Sequence, residues 1–179
     1  MDNFWKRKFL LVSLISLSFL LFNCSASGAL VVEKKPEISF ITHSAIQIKS
    51  ESANVTNGGG VINQIQSNII MKLKDRVKAE IFTEDNPTNK KIKDFIKLNI
   101  KLTSFKDVTK ADRLLIGAFA GRAMVTIEGE LTDTKTKNTV SKFKVEEVSS
   151  GGTALAGTTD DVIEAASSRI VDFILENSK

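Results

Sequence analysis

The stretch Phe95–Phe105, with the sequence FIKLNIKLTSF, has the most regular polarity pattern in the chain. Its apolar residues alternate with lysine, asparagine and threonine; they are Ile96, Leu98, Ile100 and Leu102. Because successive side chains of a strand point to opposite faces, this pattern predicts a strand with one buried face and one solvated face. Such strands are typical of largely antiparallel sheets.

Upstream of this strand, the sequence predicts two further strands and an amphipathic helix. Residues 37–49 form the first predicted strand, with a bulge around His43, and residues 77–82 form the second. Between them, residues 50–60 hold three glycines and are predicted to be a loop. Residues 61–76 are predicted to form a helix with four apolar residues on one face, Ile62, Ile65, Ile69 and Leu73.

Downstream, the sequence predicts a hairpin followed by a helix. Residues 123–131 and 140–148 are the two arms of the hairpin, with a turn over residues 133–138. Thr158 begins the helix, and the two aspartates that follow it suit the positive end of the helix dipole. The apolar face of this helix consists of Val162, Ala166, Ile170, Phe173 and Ile174.

These elements predict an α+β fold in a single two-layer domain. We expect a mostly antiparallel sheet of about five strands, with two main helices packed on one face. The predicted boundaries are a signal peptide over residues 1–23, a tether over residues 24–36 and the folded domain over residues 37–177. The tether is inferred from the small and polar residues at its start and from the charges and proline at its end.

The N-terminus has the pattern of a secretory signal peptide. Lys6, Arg7 and Lys8 precede Phe9–Phe22, an uncharged and mainly apolar stretch. That stretch is shorter than the roughly 20 apolar residues that a membrane-spanning helix needs. Residues 1–23 hold three basic residues and one acidic residue, so their removal lowers the formal charge from +4 to +2 and leaves 156 residues. A charge this small does not indicate nucleic-acid binding.

Cys24 is the only cysteine in the chain, and it lies just after the apolar stretch. In this place it resembles the acylated cysteine of a bacterial lipoprotein signal. Leu21 fits the lipobox, whereas Phe22 and Asn23 are bulkier than usual and are similar to the relaxed lipobox of spirochaetes. The alternative is an ordinary signal that is cleaved after the small residues 26–29.

The segment 109–124, with the sequence TKADRLLIGAFAGRAM, is the least ordinary part of the chain. Two arginines bracket eight small or apolar residues, and we expect the candidate packing or partner-binding residues here: Arg113, Gly117, Phe119, Gly121 and Arg122. One interpretation is a short helix or turn packed under the sheet, with Arg122 bonded to backbone carbonyls or to Asp112. The other is a small apolar surface that docks a partner or dips into the membrane interface.

Other candidate sites have weaker signals. Gly58–Gly60 precede a helix, as in some phosphate sites, but no Gly-Lys-Ser/Thr follows. His43 has no partner at ligand spacing and is expected to be a surface or bulge histidine. Four hairpin carboxylates could be taken for a glycosidase pair, but a solvated sheet face explains them better; they are Glu128, Glu130, Glu146 and Glu147. We expect no cofactor and no bound metal.

From Lys110 onward, the chain resembles an uncharacterised family of bacterial envelope lipoproteins. The resemblance rests on residues 111–113, 116–123, the turn from Asp133 to Thr136, and the closing segment 151–174. The family usually has glycine where this chain has Lys137. The layout is similar to the small domains of the curli-secretion and penicillin-binding-protein-activator lipoproteins. Those act by binding proteins, so the resemblance implies an interaction role.

The function we predict is a lipid-anchored envelope protein that binds or assembles other proteins without catalysis. Its expected partners are the membrane, through the anchor on Cys24, and an envelope protein. Ser25 is not the aspartate that typically retains lipoproteins at the inner membrane, which favours the outer membrane. Two alternatives remain: an exported hydrolase with a carboxylate-based site, and a ring-forming or membrane-active subunit.

Overall fold

A six-stranded sheet covered on one side by helices makes up the fold. The structure is a computed structural model, and it describes residues 26–36, 43–83, 92–116, 120–150 and 157–178. The strands are β1 (Ser27–Lys34), β2 (Ala45–Ser52), β3 (Glu80–Phe82), β4 (Ile96–Lys106), β5 (Met124–Asp133) and β6 (Thr139–Val148). Among the described residues the helices are α1 (Gly58–Lys74), α2 (Lys110–Ile116) and α3 (Thr159–Glu176).

The strand order is β1-β6-β5-β4-β2-β3. The pairs β1/β6, β6/β5 and β5/β4 are antiparallel, whereas β2 runs parallel to both β4 and β3. The predicted α+β class and single domain are therefore confirmed. The sheet is mixed, because the chain crosses over through α1 between β2 and β3 and then returns to place β4 on the other side of β2.

The core lies between the sheet and the helices α1 and α3. In β4 the four alternating apolar residues are at most 2% exposed, as the sequence pattern predicts. The predicted apolar faces of α1 and α3 meet them, and the rings of Phe143 and Phe173 lie 4.9 Å apart. Each fully buried Leu or Ile side chain contributes about 1.5–3 kcal/mol relative to an exposed one, so this single-sided core is the main source of stability.

α1 begins at Gly58, three residues before the predicted start. Its N-cap, Asn57, is left-handed with a φ of 58°, a conformation that asparagine tolerates better than most residues. A Cβ on Gly58 would lie 2.2 Å from the hydroxyl of Ser52, so glycine lets the helix start close to the end of β2. The prediction of a loop over residues 50–60 is wrong at both ends: residues 50–52 are the end of β2, and Gly58–Gly60 form the first turn of the helix.

The predicted strand over residues 37–49 is only partly within the described chain. Residues 37–42 lie outside it, and β2 begins at Ala45, after the position of the predicted bulge. His43 is not a surface histidine, because its side chain is only 8% exposed. Its Nε2 atom lies 3.5 Å from Oδ1 of Asp133, at the start of the β5–β6 turn.

The prediction of a tether over residues 24–36 is wrong for Ser27–Lys34, which form the edge strand β1. β1 pairs with β6 from Ser27 opposite Val148 to Lys34 opposite Lys142. At its far end, the hydroxyl of Ser141 donates to the carbonyl of Lys34 over 2.8 Å. The polarity pattern does not indicate this strand, because β1 buries little apolar side-chain surface. Only Leu30 and Val32 pack partly against the core, and its other residues are exposed.

The β5–β6 turn is organised by the Asp133 carboxylate, which accepts the backbone N–H groups of Lys135 and Thr136 over 2.8 and 3.3 Å. Burial raises the pKa of Asp133, but these hydrogen bonds and the nearby His43 lower it by more, so its pKa lies below the usual range. Ionised Asp133 therefore stabilises the fold above the pKa of an unfolded aspartate. That contribution is lost as the pH falls through the lower pKa of the folded state.

Lys137 closes this turn in the left-handed conformation, with a φ of 60°. A non-glycine residue there costs about 1–2 kcal/mol, which a glycine avoids while losing more entropy on folding. We expect Lys137→Gly to raise the free energy of unfolding by about 0.5–1 kcal/mol in urea denaturation. Lys135→Gly is the matched control, because Lys135 is not left-handed; it should be neutral or destabilising. If Lys137→Gly and Lys135→Gly lower the urea midpoint by the same amount, the left-handed conformation of Lys137 does not strain the fold.

Candidate functional site

One end of the sheet carries the segment that the sequence singles out. Ser27 of β1 pairs with Val148 of β6, Val148 with Met124 of β5, and Met124 with Lys106 of β4. These four residues form a row across four strands, and we call this end of the domain the Ser27 end. The connection from β4 to β5, which contains α2, therefore leaves and re-enters the sheet at the Ser27 end.

The β4–β5 connection is fixed to the domain at both of its ends. Val108 is 2% exposed; its N–H donates to the hydroxyl of Thr159 over 2.9 Å, and its carbonyl accepts the N–H of Thr159 over 3.0 Å. Ala123 is fully buried and makes two matching bonds with Ser149, over 2.9 and 2.8 Å. α2 is thus presented from two rigid attachment points.

A capping box begins α2. The backbone N–H and the hydroxyl of Thr109 both donate to the carboxylate of Asp112 over 2.8 Å, and the N–H of Asp112 donates back to the Thr109 hydroxyl over 3.1 Å. The backbone and side-chain hydrogen bonds from Thr109 hold the pKa of Asp112 below its usual range. Because a capping box satisfies N–H groups that a helix start leaves unpaired, this seven-residue helix has a defined beginning.

The apolar residues of α2 point into solvent. Leu114 is 73% exposed, Leu115 is 83% exposed and Ile116 is 53% exposed. We call these three residues the α2 apolar surface. The predicted short helix in this segment is present, but the expectation that it packs under the sheet is wrong for these three residues. An exposed group of large apolar side chains at one place on a folded domain is typical of a contact site.

The predicted site residues are only partly described. Gly117, Phe119 and Cys24 lie outside the described residues, and Arg113 is described only as part of the α2 backbone. Gly121 has a φ of 83°, and a Cβ there would meet only the flexible end of Lys106, 3.4 Å from its Nζ. The positive φ therefore favours glycine at this position, whereas close packing against the described residues does not. Arg122, next to Gly121, is exposed.

The sheet face opposite the helices carries charges of alternating sign. Lys101 lies 3.2 Å from Glu51, Lys142 lies 3.9 Å from Glu130, and Lys144 lies 2.6 Å from Glu146. The hydrogen bond from Lys144 to Glu146 raises the pKa of Lys144. Glu128 is also exposed on this face, opposite Lys144. Each such pair contributes at most about 1 kcal/mol, so these pairs add little to the stability of the fold.

Glu147 does not belong to that solvated face, contrary to the prediction. Its side chain is fully buried on the helix side, where Oε1 accepts a hydrogen bond from Nε of Arg169 on α3. The sequence could have indicated this burial. Glu147 lies two and four residues after the buried Val145 and Phe143, and alternate residues of a strand point to the same face. Gly28 of β1 lies opposite, and a Cβ there would come within 2.1 Å of Oε2 of Glu147.

A cavity of about 600 Å³ lies beside this ion pair, between β1 and the C-terminal half of α3. Apolar and charged side chains of both signs line it, among them Leu30, Lys35, Arg169 and Asp172. Because positive and negative groups are mixed, the cavity has no consistent electrostatic preference for an anion or a cation. Glu128 and Glu146, the candidate carboxylates of a hydrolase site, are not among its lining residues and lie on the opposite face of the sheet.

Neither a metal cluster nor a spanning helix is seen in the part of the chain that the structure describes. No group of three or more His, Cys, Asp or Glu side chains there is placed to hold a metal ion. None of the helices in the described ranges combines the length and the apolar character needed to cross a membrane.

Comparisons with known proteins identify a family and a fold. The family model of a domain of unknown function, DUF4410, matches residues 33–154. No curated protein matches this chain. Two solved structures of the PelC dodecamer from Paraburkholderia phytofirmans align with 83% of this chain and 98% of theirs, at 13% and 12% identity and TM-scores of 0.54 and 0.53. A DUF330 protein from Xanthomonas campestris aligns at a TM-score of 0.49 and 13% identity, over 82% of this chain and 93% of its own.

The left-handed conformation of Gly121 gives a direct test of its role. We expect Gly121→Val to lower the free energy of unfolding by about 1–3 kcal/mol, because a β-branched residue is strained at positive φ. Gly121→Asn should cost less, since asparagine tolerates this conformation. Thermal denaturation of the soluble chain from Ser25 measures both variants. An unchanged midpoint for Gly121→Val would show that its backbone conformation is not needed for stability.

Proposed function

The chain belongs to the family of the domain of unknown function DUF4410, and on that premise we propose that it is a lipid-anchored protein of the bacterial envelope. It binds or assembles other proteins and catalyses no reaction. The anchor is a lipid on Cys24, attached after removal of residues 1–23. The chain faces the periplasm or the cell surface from the outer membrane, since Ser25 takes the place of the aspartate that typically retains lipoproteins at the inner membrane.

The observation that carries this proposal is the distance in sequence between Cys24 and the fold. β1 begins at Ser27, only three residues after the cysteine. Three residues span at most about 10 Å, so acyl chains on Cys24 would hold the Ser27 end of the domain directly at the membrane surface. Several acyl chains give stable anchoring, since each buried CH₂ contributes about 0.8 kcal/mol.

Protein binding is supported by surfaces that the fold leaves open. α1 and α3 cover one side of the sheet, and the other side presents the alternating charges of Lys101, Glu128 and Lys144. Within the described chain β1 pairs only with β6, so its outer edge presents backbone groups that a partner strand can bind. A patterned polar face and a free edge suit specific recognition of a protein partner.

Assembly of several copies is the second candidate function. PelC of Paraburkholderia phytofirmans forms a dodecamer, and its fold is similar to that of this chain over most of both proteins. The similarity at 13% identity concerns the fold, so self-assembly of this chain is a proposal that rests on that likeness.

Lipid attachment is tested by metabolic labelling of the full chain with a fatty-acid probe in a bacterial host. We expect strong labelling of the wild-type chain and none of Cys24→Ala, because the thioether to diacylglycerol forms only on that sulfur. Ser25→Ala is the matched control and should label like wild type. Equal labelling of Cys24→Ala and wild type would contradict the anchor.

A further inference from the structure

We propose that α2 is a second membrane contact, which places Leu114, Leu115 and Ile116 in the lipid interface beside the acylated Cys24. This inference rests on the proposed lipid anchor and deepens it. It assigns a lipid surface as the occupant of the α2 apolar surface and gives the anchored domain a fixed orientation.

The strand register brings α2 and the anchor to the same end of the domain. Ser27 and Lys106 are the terminal members of one cross-strand row, and α2 follows Lys106 after three residues. Neighbouring strands lie about 4.8 Å apart, so β1 and β4 are separated by about 14 Å. A bilayer held within about 10 Å of Ser27 by Cys24 therefore lies within reach of α2.

The exposed residues on α2 are those that favour a membrane interface. Leu114 and Leu115 are the most exposed large apolar residues in the described chain, at 73% and 83%, and the neighbouring Ile116 is 53% exposed. α2 has seven residues and is about 10 Å long, so it can lie in the interface but cannot cross the bilayer. Interfacial helices bury their apolar face about 5–10 Å into the boundary between headgroups and acyl chains.

The attachment of α2 to the domain favours a membrane contact over a loosely held loop. Val108 and Ala123 are both buried. Val108 is hydrogen-bonded to Thr159, and Ala123 is hydrogen-bonded to Ser149. These bonds hold both ends of the β4–β5 connection at the Ser27 end, so α2 stays near that end of the domain. The proposed lipid anchor on Cys24 would also hold a membrane close to α2, whereas nothing in the chain holds a protein partner there.

The charged residues at the Ser27 end are balanced in sign, so the proposed membrane contact depends on apolar side chains. Nζ of Lys110 is 3.6 Å from the Asp160 carboxylate. The charged residues that the chain places at this end are four basic ones, Lys106, Lys110, Arg113 and Arg122, and four acidic ones, Asp107, Asp112, Asp160 and Asp161. Positive and negative side chains are balanced, so attraction to anionic headgroups contributes little. The contact should therefore form equally well on membranes with and without anionic lipid.

The experiment places a fluorophore on α2 in the lipidated full chain. Leu115→Cys introduces the one reactive thiol, because the sulfur of an acylated Cys24 cannot react. Two control variants carry the same fluorophore elsewhere. Lys135→Cys lies in the turn at the opposite end of the sheet, and Met71→Cys replaces an apolar residue that is 63% exposed on α1. Ile116→Cys repeats the measurement if Leu115→Cys does not fold.

The labelled chains are reconstituted into phosphatidylethanolamine vesicles, with or without phosphatidylglycerol, that contain lipid with a nitroxide near the headgroup. We expect quenching at position 115 to exceed that at positions 135 and 71 by at least about twofold, in both vesicle types. Equal quenching at all three positions, in chains that float with the vesicles, would overturn the contact and leave the anchor standing.

Two other outcomes would also overturn the inference. If the chains do not float with the vesicles and Cys24 takes up fluorophore, the anchor is wrong, and the membrane contact fails with it. If emission at position 115 is blue-shifted but not quenched by the nitroxide lipid, and the shift disappears when each vesicle holds a single chain, a second copy covers α2 instead of lipid.

Discussion

The orientation of the domain depends on the antiparallel pairing of β1 with β6. Its register puts Ser27 opposite Val148, which places the first residue of β1, three residues after the proposed anchor, at the same end of the sheet as α2. If β1 were the tether that its composition suggests, the domain could turn freely relative to a membrane. As a strand, it would fix the whole sheet relative to an anchor on Cys24, because backbone hydrogen bonds run along most of its length.

The pairing of β1 requires space that small residues provide. Gly28 leaves room for the buried carboxylate of Glu147, which is bonded to Arg169 on α3. On β5, Gly129 leaves room for the ring of Phe143, since a Cβ there would lie 2.1 Å from that ring. Only the carboxylate of this pair is fully buried, since Arg169 is 37% exposed, so removing Arg169 would leave a buried charge without its partner. The pair connects β6, next to the edge strand, to the helix layer.

The sequence predicts the elements that bury one regular face. β4, α1 and α3 each repeat apolar residues at the period of their structure, and the residues predicted to be inside, such as Ile100, Ile65 and Ile170, are buried. Periodicity does not predict β1, because this edge strand is held mainly by backbone hydrogen bonds. Only two of its residues, Leu30 and Val32, are partly buried. Periodicity also cannot tell whether Leu114 and Leu115 face a core or a partner, since large apolar side chains form both interiors and exposed contact patches.

Hydrogen exchange of the lipidated chain, bound to vesicles and then released into detergent monomers, tests most directly whether the Ser27 end faces the membrane. If the Ser27 end faces the membrane, we expect amide exchange in residues 110–116 to be slower on vesicles than in detergent. Exchange in the turn over residues 133–138, at the opposite end, should be the same in both. Slower exchange in the turn, or no difference at either end, would contradict the orientation that the β1–β6 register implies.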